Sequence, residues 1–141
     1  MKSNILPLAA ALTLISGCIV VSDGVDAGDP LDAQLYLDWD VRDVVTDDPL
    51  TCATVGADTI RVKARNASTG KSYVDLFDCS AFSGTTYSLT AGDYYVTVDI
   101  AYCGTDPACS NPDVLSSAAT IGPLGVWDDG EIDLGFFVFR L

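Results

Sequence analysis

The chain has 141 residues, enough for one domain and little else. Its 49% hydrophobic content supplies a core and excludes a disordered chain. Twenty acidic residues face seven basic ones, a formal charge of −13; that surface excludes nucleic acid, whose phosphates need Lys and Arg to displace their counterions.

The first element in chain order is an export signal. Lys2 supplies a positive start, and Ile5 to Ile15 read ILPLAAALTLI, an apolar run of signal-peptide length. A transmembrane span needs about 20 such residues. Small residues Ser16 and Gly17 then lead to Cys18. The stretch Leu14-Ile15-Ser16-Gly17-Cys18 resembles the lipobox of bacterial lipoproteins, with an aliphatic residue three before the cysteine and small residues between. The resemblance implies a diacylglycerol on the Cys18 sulfur and cleavage before Cys18. Thiolate nucleophilicity suits that acceptor role, and two or more acyl chains anchor stably, at about 0.8 kcal/mol per buried CH₂. Ile19 follows, rather than the Asp of inner-membrane retention, so the resemblance points to the outer membrane of a Gram-negative bacterium. Without residues 1–17, which hold Lys2 and no acid, six bases face 20 acids, a charge of −14. Attraction to anionic head groups is thereby excluded, and membrane contact is expected through the lipid.

Residues 18–33 read as the lipidated cysteine and a flexible acidic tether, with Ser22 to Ala33 reading SDGVDAGDPLDA. This composition buries no core and stays solvated. Asp23, Asp26, Asp29 and Asp32 recur every third residue, but without the spacing or glycine of an EF-hand loop.

Residues 34–141 show period-two alternation. Gln34 to Val41 (QLYLDWDV) puts Leu35, Leu37 and Trp39 on one face. Asp58 to Ala67 (DTIRVKARNA) puts Ile60, Val62 and Ala64 inward against Arg61, Lys63 and Arg65. Asn66 to Gly70 is turn material, and Lys71 to Asp78 returns to complete a hairpin. Thr85, Tyr87 and Leu89 alternate next, and a turn at Ala91-Gly92-Asp93 leads to Tyr94, Val96, Val98 and Ile100 on one side. A weaker strand is expected over Val114 to Ile121, ended by Gly122-Pro123. The last, Glu131 to Leu141, places Ile132, Leu134, Phe136 and Val138 together. About seven short strands with regular turns predict an all-β fold, a single antiparallel β-sandwich; a small closed barrel is the alternative.

Five cysteines are present. With Cys18 assigned to lipid, Cys52, Cys79, Cys103 and Cys109 remain, an even number that reads as two disulfides in an exported chain. Of three possible pairings, Cys52–Cys79 and Cys103–Cys109 are favoured, at about 3.6 and 2.4 kcal/mol from loop entropy. A zinc site lacks its usual partners, because the chain has no histidine and no CxxC pair.

The order of Trp39, Cys52, Val55 to Val62, Asp78-Cys79 and Leu89-Thr90-Ala91-Gly92-Asp93-Tyr94-Tyr95-Val96 is similar to a pattern in uncharacterised Gram-negative lipoproteins. Leu-x-x-Gly-x-Tyr before a strand also resembles transthyretin-like and carboxypeptidase-regulatory-like sandwiches, close to immunoglobulin-like architecture. The similarity spans about residues 34–141. It implies the sandwich and no reaction, since those domains share no catalytic residues.

Without histidine a Ser-His-Asp or Cys-His constellation cannot be built, and no nucleophile elbow, phosphate loop or dinucleotide fingerprint occurs. Asp38/Asp40 and Asp128/Asp129/Glu131 are the carboxylate groupings open to a glycosidase reading; Asp128-Asp129-Gly130 reads first as a turn. Asp43, Asp47 and Asp48, or Asp106 and Asp113, are the candidate calcium loops, with solvated loops preferred. Tyr94 and Tyr95 face opposite sides of one strand, as do Phe136 and Phe137. One such set would suit a glycan or protein surface, whereas burial on both faces, the preferred reading, explains the same pattern. The expectation is a non-catalytic binding or structural module of the cell envelope, requiring no cofactor and no metal. Its partner is an envelope protein or extracellular polymer. An accessory subunit of an envelope complex is the alternative, and a carboxylate-dependent enzyme a distant third.

Overall fold

A computed structural model describes residues 33–127 and 130–141. The signal at 1–17, Cys18, the tether through Asp32, and Asp128-Asp129 lie outside the described residues. Eight strands form two sheets: β1 (Ala33–Arg42), β2 (Thr59–Asn66), β3 (Ser72–Asp78), β4 (Ser83–Thr85), β5 (Gly92–Tyr102), β6 (Asp113–Ser117), β7 (Ile121–Val126) and β8 (Gly130–Arg140). A one-turn helix α1 (Cys52–Val55) links β1 to β2. One sheet runs β4-β1-β8; the other runs β3-β2-β5-β6, with β7 sharing the β5 edge. The fold is the expected all-β sandwich. One pairing departs from it: β1 and β8 run parallel, from Ala33↔Gly130 to Arg42↔Arg140. Among the described residues no helix is long and apolar enough to cross a membrane.

Alternation places the core where the sequence predicts it. Leu35, Leu37, Trp39 and Val41 of β1 face Ile60, Val62 and Ala64 of β2 and Tyr94, Val96, Val98 and Ile100 of β5, all buried. Trp39 is the largest of the fully buried side chains, and its indole Nε1 donates to the Cys79 carbonyl at 2.8 Å. The Tyr94 hydroxyl donates back to the Thr90 carbonyl at 2.8 Å, so Leu89-x-x-Gly-x-Tyr94 closes its corner by a bond across four residues. Ala33 belongs to β1 rather than to the tether. It is fully buried and exchanges backbone bonds with Leu89.

Both favoured disulfides are present. Cys52–Cys79 ties α1 to the turn after β3 (Cα–Cα 6.0 Å), and Cys103–Cys109 closes the loop after β5 (Cα–Cα 5.0 Å). Removing the first bridge by Cys52→Ala/Cys79→Ala should cost about 3–4 kcal/mol in chemical denaturation, from unfolded-chain entropy; an unchanged midpoint would contradict a structural role.

Three stretches differ from expectation. The strand expected over Thr85, Tyr87 and Leu89 lies earlier, as β4, and shares only Thr85 with it; beyond, the Thr86 hydroxyl turns inward to accept from Leu35 N at 2.9 Å, and Tyr87 is exposed. The strand at Val114–Ile121 splits into β6 and β7, and Gly122-Pro123, joined by a cis peptide, lies inside β7 rather than ending a strand. Proline is tolerated there because β7 is an edge strand. The third is β8. Between Asp133 and Phe136 its register against β1 gains one residue, and Gly135 sits there at φ 85°. This bulge inverts the alternation. Phe137 and Phe139 therefore pack inward, and Phe136 is 61% exposed instead of joining Ile132 and Leu134.

Candidate interaction surface

The inward and outward alternation that builds the core also fixes what each sheet shows to solvent. On the outer face of the β4-β1-β8 sheet, Tyr36, Asp38 and Asp40 of β1 lie beside Asp133, Phe136 and Val138 of β8, with Glu131 next to Gln34. This face is acidic. Its two arginines are spent locally: Arg42 Nε pairs with Asp40 at 2.8 Å, and Arg140 Nε with Asp47 at 3.1 Å. The glycosidase candidates Asp38 and Asp40 are each engaged by a separate partner. Asp38 accepts the Tyr36 hydroxyl at 2.6 Å, which raises the Tyr36 pKa, while Asp40 holds Arg42.

The opposite outer face, on β3-β2-β5, mixes both signs, its bases standing among Asp78, Asp93 and Asp99. Arg61, Lys63 and Arg65 alternate outward along β2 and lie beside Asp99, Thr97 and Tyr95 of β5. Arg61 is fixed by the buried Asp99, its Nε donating at 3.0 Å, and Asp99 also accepts from Ser117 Oγ at 2.6 Å. Lys63 and Arg65 are exposed and make no salt bridge among the described residues. Two aromatic rings join them. A Cβ on Gly122 would stand 3.0 Å from Tyr95 Cδ1, and one on Gly125 only 2.9 Å from Trp127 Cδ1 and Nε1. The glycines of β7 thus let both rings lie against the backbone, leaving Tyr95 42% and Trp127 56% exposed. Tyr95, expected in the core, is a surface ring because β7 covers only the edge of β5. The sequence carried a signal for this face in the three outward bases of β2; nothing in it placed Trp127 beside them.

The remaining acidic candidates shape loops. Asp43 accepts from Val45 N at 2.7 Å and Thr46 N at 2.8 Å, with its pKa lowered by the Thr46 and then the Val45 amide. Asp47 lies between Arg42 and Arg140. Asp106 accepts from Ser110 N at 2.7 Å and Ala108 N at 3.0 Å, and these amides lower its pKa in that order. Among the described residues no group of three or more His, Cys, Asp or Glu is placed to hold a metal. Asp58 takes Cys103 N and Gly104 N, each at 2.8 Å, and so pins the small disulfide loop to the start of β2. Burial pushes Asp58 up, but the Cys103 amide, the Thr59 hydroxyl and the Gly104 amide together hold it below the ordinary carboxylate value.

Asp75 behaves oppositely. It points inward from β3, opposite Val62, and accepts only Tyr87 N at 3.3 Å, so burial raises its pKa. Asp75 and Asp99 lie on opposite faces of the sheet and form no carboxylate pair. A raised native pKa means the folded state binds more protons than the unfolded chain, so Asp75 lowers stability above its native pKa and the penalty is relieved as pH falls. Asp75→Asn should therefore raise the urea midpoint at neutral pH, with the gain fading below about pH 4, the ordinary carboxylate range. A gain that persists in acid would show packing rather than charge at work.

One more feature bears on association. Strand β8 has 11 residues and pairs with β1 on one side, with no ladder on its other side among the described residues. Along that strand Ile132, Leu134 and Phe137 are only partly buried. No protein-family model matches the chain, and neither a curated protein nor a solved structure matches it.

Proposed function

We propose that this chain is a lipid-anchored, non-catalytic β-sandwich module of the cell envelope that binds a protein or polymer partner. The observation that carries the binding role is the solvent face of β3-β2-β5, where exposed Arg65 stands opposite exposed Tyr95, exposed Lys63 stands opposite exposed Val74, and the exposed Trp127 ring lies over Gly125 beside Asp93. Exposed apolar and aromatic area collected in one place favours an interaction site over simple solvation. The anchor rests on the sequence at Ile15 to Cys18, and its outer-membrane address on Ile19 following the cysteine. Under this reading the protein needs no cofactor or metal, and the carboxylates serve structure rather than catalysis.

A second reading, an accessory subunit of an envelope complex, is favoured by the open β8 edge, since a long unpaired strand accepts another by backbone bonding. The test of the anchor is Cys18→Ala. The expected product is unprocessed or soluble and lacks acyl mass, whereas the unaltered chain fractionates with membrane. Unchanged fractionation and mature mass would refute lipid attachment. Crosslinking on intact cells with a photoreactive group at position 63 should capture a partner that a group at position 38, on the acidic face, does not; equal capture from both faces would remove the binding surface from this reading.

A further inference from the structure

We propose that the open edge of β8 pairs with the same edge of a second copy of this chain, antiparallel about a two-fold axis at Phe136, so that two β4-β1-β8 sheets become one. The inference goes beyond the binding-module reading and depends on neither its lipid nor its partner.

The backbone fixes which groups are on offer. Leu141 N donates to Arg42 O and Leu141 O accepts from Val44 N. The polar groups of Leu141 therefore face β1 and, at alternate positions, so do those of Phe139 and Phe137. At the other end of the ladder Ala33 exchanges bonds with Leu89, and Leu35 O accepts from Thr86 N. Gln34 and Tyr36 accordingly face β8, where they bond to the residues flanking Glu131 and Asp133. The N–H and C=O groups of Glu131, Asp133, Phe136, Val138 and Arg140 are left pointing into the open edge. The bulge adds no orphan, because Gly135 N donates to Asp133 Oδ1 at 2.7 Å. Strand β6 of the other sheet comes near β8 but shares no ladder with it. Of the edge strands described, β8 is the longest, and a long edge is a template for another strand.

Charge selects the occupant and the register. Against β1 the outward-bonding residues take successive alternate places, opposite Gln34, Tyr36, Asp38, Asp40 and Arg42. Turning a second β8 about the middle place sets Arg140 across from the partner's Glu131, Val138 across from the partner's Asp133, and Phe136 beside the partner's Phe136. Every outward group is then bonded, and the basic end of each strand meets the acidic end of the other. A two-fold at Asp133 would oppose two carboxylates, and a parallel in-register pair would oppose like charges at both ends. Exposed ion pairs contribute little affinity, so the charges choose the register while backbone bonds hold the contact. Arg140 gives Nε to Asp47 in a largely exposed pair, which leaves its Nη donors for a carboxylate. The exposed Phe136 ring loses its water at the axis, where a cross-strand aromatic pair is favourable. On the inner side the half-buried Leu134 and Ile132 come opposite the partner's Phe137 and the partner's Phe139, and the apolar row continues. The net negative charge of each copy opposes approach, but at physiological salt it is screened beyond about 8 Å.

The experiment is cysteine crosslinking of the full-length chain by mild oxidation, in membranes and in detergent, with mass read by non-reducing gel and sedimentation equilibrium. Phe136→Cys should give a linked dimer by itself, since residues paired this way have Cα atoms about 5.5 Å apart, within reach of a disulfide. Glu131→Cys and Arg140→Cys should each stay monomeric alone and crosslink when both chains are present. Lys63→Cys, on the other sheet, should stay monomeric. Val138→Pro removes an N–H that β1 does not use, as an edge position allows. It should weaken association at least about tenfold and leave the urea midpoint of dilute chain unchanged; the cysteine pairs decide the matter if this variant does not fold. A contact one strand wide is small, so the dimer should dissociate below roughly 1 μM. A chain still monomeric at about 100 μM, Glu131→Cys linking to itself as readily as to Arg140→Cys, or capture of a different protein at position 136 would overturn the proposal. Slow amide exchange at Phe136, Val138 and Arg140 in a monomer would overturn it too, by showing that a segment of the same chain lies on the edge.

Discussion

Trp39→Ala is expected to lower stability by about 3–5 kcal/mol, the range for removing a large aromatic side chain from a packed core. Trp39 is 1% exposed at the centre of β1 and stands 6.0 Å, centroid to centroid, from Phe77. Its Nε1 is also the donor to Cys79 O at 2.8 Å, so truncation opens a cavity and leaves a carbonyl without its partner next to the Cys52–Cys79 bridge. A domain of this size has about 5–15 kcal/mol in total, so a large share goes with one side chain. Thermal melts should drop by about 15–25 °C. Trp39→Phe separates the two causes: it keeps most of the volume, removes the donor, and should cost about 1–3 kcal/mol. A Trp39→Ala melt within a few degrees of the unaltered protein would mean that the core does not close around this residue.

The second large effect concerns one glycine. Phe139→Ala should destabilise the fold by about 3–5 kcal/mol, as for a large buried aromatic, whereas Phe136→Ala, three residues earlier and 61% exposed, should cost less than about 0.5 kcal/mol. The bulge at Gly135 is what lets Ile132 and Leu134 and then Phe137 and Phe139 all face the core along one strand. Were Gly135 to take an ordinary paired position, Phe136, Val138 and the charged Arg140 would turn inward, since a one-residue slip reverses every side chain. Gly135→Ala should cost only about 1–2 kcal/mol, from the left-handed backbone alone, because nothing lies within 4 Å of the added Cβ. Equal effects of Phe136→Ala and Phe139→Ala, measured by urea denaturation, would show that the bulge does not set which face each ring occupies.

Much of the sandwich was legible because its strands announce themselves locally. Ile60, Val62 and Ala64 alternate with three bases, so the β2–β3 hairpin and its inward face follow from period two and the Asn66–Gly70 turn. Both disulfide pairings followed from parity and loop length. The bulge had a visible signal, a glycine inside a strand pattern, yet the alternation of Ile132, Leu134, Phe136 and Val138 outweighed it when read over residues 131–141 alone. The outer face of β3-β2-β5 was half visible: its bases belong to one strand, whereas Trp127 arrives from a segment 62 positions beyond Arg65.

The amino-acid order by itself determined the all-β class, the core positions of β1, β2 and β5, and the two cystines. All of these depend on periodicity within one strand or on closure of a short loop. The parallel pairing of β1 with β8, the sharing of one β5 edge by β6 and β7, the surface position of Phe136 and Tyr95 and the β8 edge without a ladder among the described residues were decided only by tertiary structure. Each depends on which strands become neighbours across long stretches of chain, and that choice is made by the joint burial of both sheets rather than by any local pattern.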